Sequence, residues 1–169
     1  MMLCAGNEEV YVMMDDIIRE VAGMFKSPLM HLGGDEADIP KNWEKCDLCR
    51  LLMKKRNYTN PAQLMIPFFE NILASVRKYG KKPILWFELN NEYPPADDYL
   101  FPYPKDVVLV SWRGGMTPTG LDISAEKGND VIMAPGEHCY YDYPQYKGDL
   151  PEYNNWGMPM TTLERAYRL

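Results

Sequence analysis

With 169 residues, 46% hydrophobic and 25% charged, the chain is long enough for one domain with a real core and reads as globular. A net charge of −6 argues against a basic nucleic-acid-binding patch and fits a neutral or small-molecule partner better. No apolar run approaches the roughly 20 residues of a membrane span, and Met1 to Glu9 lacks the basic and apolar regions of a signal peptide.

The first element predicted is an amphipathic helix over Glu8 to Phe25. Val10, Met13, Met14, Ile17, Ile18 and Val21 recur at helical spacing, Asn7 is the candidate N-cap, and Glu8 and Glu9 suit the positive end of the helix dipole. Asp15-Asp16 reads as solvated. Pro28 to Leu32 follows as a short buried strand. Ala37 to Asn60 is polar and irregular, with at least one helical turn around Cys46 to Lys54. Cys46 and Cys49 form one C-x-x-C. A zinc ribbon needs a second such pair, which the sequence lacks, and a thioredoxin-like motif should open a helix after a strand. These cysteines read as structural, either as thiols or as one local disulfide.

Pro61 opens a second helix carrying Leu64, Met65, Phe68, Ile72, Leu73 and Val76, which Gly80 ends. Pro83 to Phe87 is the next strand, and a loop rich in proline and tyrosine covers Asn90 to Pro104, with Asp97-Asp98 read as solvated. Val107 to Trp112 is a third strand, Leu121 to Lys127 a short helix and Val131 to Ala134 a fourth strand. A second aromatic loop runs from Glu137 to Met158, and Thr161 or Thr162 caps a last helix.

Strict alternation of strand and helix predicts an α/β fold with a parallel sheet, its strands continuous apolar runs covered on both faces. Gly, acidic and aromatic residues follow the strands, while tight links follow the helices. That asymmetry places the chemistry at the C-terminal edge of the sheet. The spacing of Trp86, Trp112 and Tyr140 approaches the roughly 30 residues of a (β/α)8 unit. Four strands, however, make either part of a barrel or a small open sheet.

The most informative run is His31-Leu32-Gly33-Gly34-Asp35-Glu36. Adjacent carboxylates on a regular strand face opposite sides. Both reach one ligand only if the strand has ended and the backbone turns, which Gly33 and Gly34 permit. An isolated Asp-Glu pair also suits a solvated turn; the whole hexapeptide is more specific.

This hexapeptide resembles the signature of glycoside hydrolase family 20, the β-N-acetylhexosaminidases. Further blocks resemble the family in the same order: Lys82 to Glu88 with Trp86, Val108 to Gly115 with Ser111-Trp112-Arg113-Gly114-Gly115, Asp130 to Pro135 followed by Tyr140-Tyr141-Asp142-Tyr143, and Thr161 to Tyr167. The resemblance covers nearly the whole chain. It implies a parallel-stranded partial TIM barrel over 1–169, about strands four to seven with their helices, as a single fragment of the catalytic barrel. It further implies retaining, substrate-assisted removal of terminal β-linked GlcNAc or GalNAc from glycans, with no metal or cofactor required.

Most retaining glycosidases use two enzyme carboxylates. In this family the substrate's 2-acetamido oxygen replaces the nucleophile. By resemblance Glu36 is the acid/base and Asp35 accepts the acetamide N–H. An ionised Asp35 would help its neighbour keep a proton through like-charge repulsion, and partial burial would add to this. Trp86 and Trp112 would wall the acetamide and stack on the sugar, although a strand tryptophan is also an ordinary core residue. By motif position Tyr140 donates to the acetamide oxygen and Asp142 binds a sugar hydroxyl. A one-position shift would exchange Tyr140 for Tyr141; Tyr141 and Tyr143 otherwise pack or cover. His31 either orients a carboxylate or fills a polar niche. Glu88 reads as structural, and His138 has no assignable role. The competing readings are a carbohydrate-binding module without hydrolysis and a truncated barrel that self-associates through exposed sheet edges. The family's members are often exported, but the sequence carries no address.

Overall fold

The computed structural model describes residues 2–39, 42–87, 102–112, 128–146, 148–149 and 160–168. Glu88, Asp97-Asp98, Arg113-Gly114-Gly115 and the helix predicted over Leu121 to Lys127 lie outside them.

Four strands, β1 (Leu29–His31), β2 (Lys82–Trp86), β3 (Val108–Ser111) and β4 (Val131–Met133), form one parallel sheet in the order β1-β2-β3-β4. The register sets His31 beside Ile84, Trp86 beside Val110 and Ser111 beside Met133. The order never reverses. A doubly wound sheet reverses at a switch point, whereas successive right-handed crossovers without reversal are how a barrel grows. Every strand therefore ends toward the same rim.

Helix α1 (Glu8–Met24) begins where Asn7 accepts a hydrogen bond from the Glu9 N–H at 3.0 Å, as its position before two acidic residues suggests. Helix α3 (Met65–Lys78) is preceded by a 3₁₀ turn, Pro61–Leu64. Asn60 caps that turn reciprocally with Gln63: the Ala62 N–H donates to the Asn60 side chain at 2.8 Å, and the Asn60 N–H donates to the Gln63 side chain at 2.9 Å. Phe69 and Leu73 of α3 pack on Leu85 and Leu109 of the strands and on Phe87 just past β2, while Ile72 and Val76 pack on Ile18 of α1. One face of the sheet is thus covered by α3, and α3 in turn by α1. Ile84, Val108 and Val110 form a second apolar cluster joined by Trp86 and Ala134.

The structure departs from the sequence reading at four places. Burial on both faces holds for β2 and β3 but not for the outer strands, where Leu29 is 41% and Ile132 43% exposed. The region around Cys46 is a full ten-residue helix, α2 (Asp47–Arg56), after a 3₁₀ turn at Trp43–Lys45. Its apolar residues are few, and Leu48 and Leu51 stay exposed, so helical periodicity is weak there. The loop after β4 opens with a helical turn, α4 (Gly136–Cys139); the last helix, α5 (Leu163–Tyr167), is capped by Thr162, which accepts from the Arg165 N–H. Asp15 is not merely solvated: it accepts from Ser75 at 2.6 Å and from Lys78 and Tyr79 at 2.7 Å, tying α1 to α3. Lys78 foremost, then Ser75 and Tyr79, hold its carboxyl well below the usual carboxylate range. Among the described residues no helix is long and apolar enough to cross a membrane.

Candidate active site

The rim formed by the strand C-termini carries the residues singled out by sequence. β1 stops at His31, and the backbone then breaks from extended geometry: φ is +74° at Gly33, +97° at Gly34 and +48° at Glu36. Glycine takes such values freely, but Glu36 does so at a cost, since non-glycine residues rarely occupy the left-handed region. Gly34 has a second constraint. A Cβ there would lie 3.0 Å from the Phe69 ring, so a side chain would meet both a disfavoured φ and the α3 core. The corner stays tied to the sheet, because the Leu32 N–H donates to Ile84 and the Trp86 N–H donates to the Gly33 carbonyl, each at 3.0 Å. The turn that carries Asp35 and Glu36 is thereby fixed against the end of the next strand.

His31 has a defined task in this corner. Its Nδ1 accepts the Gly33 N–H at 3.0 Å, and its ring meets the Trp86 ring edge-on, centroids 4.7 Å apart. Partial burial lowers its pKa, with the Asp35 charge opposing. Because Nδ1 accepts the Gly33 N–H, the neutral ring carries its proton on Nε2. Through that bond His31 fastens the turn that carries Asp35 and Glu36.

From His31 an aromatic run crosses the rim. Trp86 meets Trp112 edge-on with centroids 6.4 Å apart, and Trp112 lies parallel to Tyr140, centroids 6.3 Å apart and planes 1° apart. Tyr140 in turn contacts Tyr143 at 5.3 Å. His31, Trp86, Trp112 and the Tyr140–Tyr143 pair come from the ends of four different strands or the loops after them, so four βα connections build one surface. The backbone holds it in place: the Ala134 N–H donates to Ser111, the Gly136 N–H to the Trp112 carbonyl and the Tyr140 N–H to Gly136. Trp86, Trp112 and Tyr140 are each partly buried, as expected for a wall with one face open. The Tyr103 hydroxyl, to which sequence assigns nothing, donates to the Trp86 carbonyl at 3.4 Å from within the core below.

Tyr140 and Tyr141 differ in exposure. Tyr141 is 69% exposed, while Tyr143 is buried at 6% beneath Tyr140. Asp35, Glu36 and Asp142 are all exposed, so the partial burial anticipated for the acid is not a feature of this chain. All three nonetheless lie near enough to act on Tyr140. Desolvation, foremost, raises the Tyr140 pKa, and the charges of Tyr143, Asp35, Glu36 and Asp142 raise it further. The Tyr140 hydroxyl therefore keeps its proton and is a donor. His138, on α4, has Nδ1 buried without a partner among the described residues. The candidate site thus unites His31, Asp35, Glu36, Trp86, Trp112, Tyr140 and Asp142 on one rim: an open aromatic surface flanked by three carboxylates and a phenol donor.

The family model for the catalytic domain of glycosyl hydrolase family 20 matches residues 1–169. A β-hexosaminidase of Akkermansia muciniphila is 32% identical over 99% of this chain and 31% of its own length. A β-hexosaminidase of Porphyromonas gingivalis is 33% identical over 86% of this chain and 17% of its own. A crystal structure of a β-N-acetylhexosaminidase superposes on 99% of this chain and 33% of its own with a TM-score of 0.80 at 32% identity. An exo-β-N-acetylglucosaminidase of Vibrio harveyi, solved with N-acetylglucosamine, gives 0.77 at 27% identity, again over 99% of this chain and 24% of its own. The chain spans about a third or less of the length of these relatives, and its sheet corresponds to a fragment of their TIM barrels.

Proposed function

The chain belongs to glycosyl hydrolase family 20, and on that premise we propose that it supplies the acid/base side of a retaining β-N-acetylhexosaminidase acting on terminal β-linked GlcNAc or GalNAc. The 169 residues are read as a single piece of that catalytic barrel. The sugar's acetamide oxygen attacks the anomeric carbon while Glu36 gives its proton to the departing glycosidic oxygen. Asp35 accepts the acetamide N–H and aligns the group for attack. Tyr140 donates its hydroxyl to the acetamide oxygen, Trp86 and Trp112 enclose the acetamide methyl, and Asp142 binds a sugar hydroxyl. In the second half Glu36, now a carboxylate, takes a proton from the water that opens the oxazolinium ring. Two inversions at one carbon give net retention.

The observation that supports this reading most is the aromatic wall of Trp86, Trp112 and Tyr140 at the strand ends, with Asp35, Glu36 and Asp142 near enough for their charges to act on Tyr140. The test compares an aryl β-N-acetylglucosaminide with the matching aryl β-glucoside, using the full-length protein. Efficient cleavage of the first with little of the second is expected, because the glucoside lacks the internal nucleophile. Equal cleavage of both would contradict the reading.

For these 169 residues alone a second state is favoured, that of a self-associating piece with weak turnover or none. Among the described residues nothing pairs with the outer edges of β1 and β4, and Val12, Met13 and Ile17 of α1 are exposed. Sedimentation at low concentration is expected to show species larger than a monomer; a monomer with full turnover would contradict this.

A further inference from the structure

Three cysteine sulfurs converge away from the aromatic rim. Cys4 lies in the segment before α1, Cys46 caps α2, and Cys49 lies in the first turn of α2. The Cys4 Sγ is 3.4 Å from that of Cys46 and 3.6 Å from that of Cys49, and all three sulfurs lie within 4.8 Å of one another. Four thiolate sulfurs at 2.3 Å around a tetrahedral ion stand about 3.8 Å apart. The three sulfurs therefore already occupy, closely, three corners of such a tetrahedron. A disulfide would use only two of them.

The surroundings fix the three sulfurs in place. The backbone of Gly6 packs directly against that of Leu48 and Cys49 at the start of α2. Gly6 reaches this position only because it has no side chain: a Cβ there would lie 2.3 Å from the Leu48 carbonyl oxygen. The Trp43 indole N–H donates to the Leu3 carbonyl at 2.8 Å, and the Met2 N–H donates to the Asn42 side chain at 3.2 Å. Ala5, Ile39, Trp43, Cys49, Ala62 and Leu64 form a buried cluster around the sulfurs. The segment before α1 is thus docked on the Cys46-x-x-Cys49 turn from several directions.

We propose that Cys4, Cys46 and Cys49 bind one zinc ion as three thiolates, with a water molecule completing the tetrahedron. Three S–H bonds lose their protons to solvent, three Zn–S bonds form, and no atom changes oxidation state. The site clips together residues 42 positions apart in sequence. One strand of the clip leads into α1, and the other leads back to the Gly33–Glu36 corner. Zinc holds this loop against the core as a structural ion. The sequence hides the site because one ligand is remote from the C-x-x-C and no second pair announces it.

The test is metal analysis of the full-length protein purified without chelator from zinc-supplemented culture. About one zinc per chain is expected, falling below about a quarter in Cys4→Ser, Cys46→Ser and Cys49→Ser and unchanged in Cys139→Ser. Since a serine variant could lose metal by failing to fold, the unmutated chain is also loaded with cobalt(II). Thiolate-to-cobalt charge-transfer absorption with strong tetrahedral visible bands is expected. A chain that takes up neither metal while its thiols remain reduced, or whose mass is two hydrogens short through a Cys–Cys bond, would overturn the proposal. Neither readout depends on sugar turnover, so this site and the hexosaminidase reading stand or fall separately.

Discussion

Tyr140 lies parallel to Trp112, planes 1° apart and ring centroids 6.3 Å apart, although the two residues belong to successive βα loops. The hydrogen bonds from Gly136 to the Trp112 carbonyl and from Tyr140 to Gly136 set that geometry through the backbone, so the phenol is held by its fold and not by a chance contact. In the full-length protein, Tyr140→Phe is expected to lower kcat by about 10²-fold, the scale of losing one donor to a developing charge. Tyr141→Phe is expected to leave it essentially unchanged, because that ring points into solvent. Steady-state kinetics on an aryl β-N-acetylglucosaminide checks both. The reverse pattern would move the donor role one residue along the chain.

His31 predicts a pH response of the corner. Desolvation lowers its pKa in the folded chain, so the neutral ring that accepts from the Gly33 N–H is fully stabilising above the ordinary histidine value of about 6.5. That contribution is lost as pH falls from there through the lower folded value. Nitrogen-15 NMR is expected to show a neutral ring protonated on Nε2 at neutral pH and a titration midpoint below about 6.5. A midpoint above that value would contradict the assignment.

Asp15 predicts an acid-labile link between the two principal helices. Its carboxyl titrates below the usual range when folded, so its contribution is complete above an ordinary carboxylate value of about 3.9. It is lost as pH falls from there through the folded value. Asp15→Asn is expected to lower the melting temperature at about pH 7, and by less at about pH 3, where the unfolded chain's carboxyl is already mostly protonated. A constant difference at both would show that the charge is not what ties α1 to α3.

Gly34→Ala carries the strongest expectation for the hinge. The substitution places a Cβ 3.0 Å from the Phe69 ring at φ +97°, so it combines strain with overpacking. A loss of about 1–3 kcal/mol is expected from denaturant unfolding. A neutral result would mean that the corner relaxes at little cost.

Much of this site was legible because its signals are local. The end of β1, the Gly33–Gly34 hinge and the aromatic residues ending β2 and β3 all follow from neighbours in sequence, as does the Asn7 cap of α1. The Cys4 cluster and the Asp15 bonds were not legible, because their partners lie 42 to 64 residues away and no periodicity encodes such contacts. The length of α2 was hidden for a different reason: its buried face is narrow, with Cys49 its one fully buried residue. The edge strands misled in the opposite direction, since an apolar run such as Leu29 to Leu32 promises two covered faces and the described residues cover only part of them.

The account rests on Glu36 and Asp35 working on the same N-acetylated sugar from one glycine-hinged corner. The most direct measurement is the kcat of the full-length protein on an aryl β-N-acetylglucosaminide for Glu36→Gln and, separately, Asp35→Ala. A loss of about 10²-fold or more in each is expected, on the scale of removing a general acid or an aligning anion. Unchanged turnover in either variant would contradict the account.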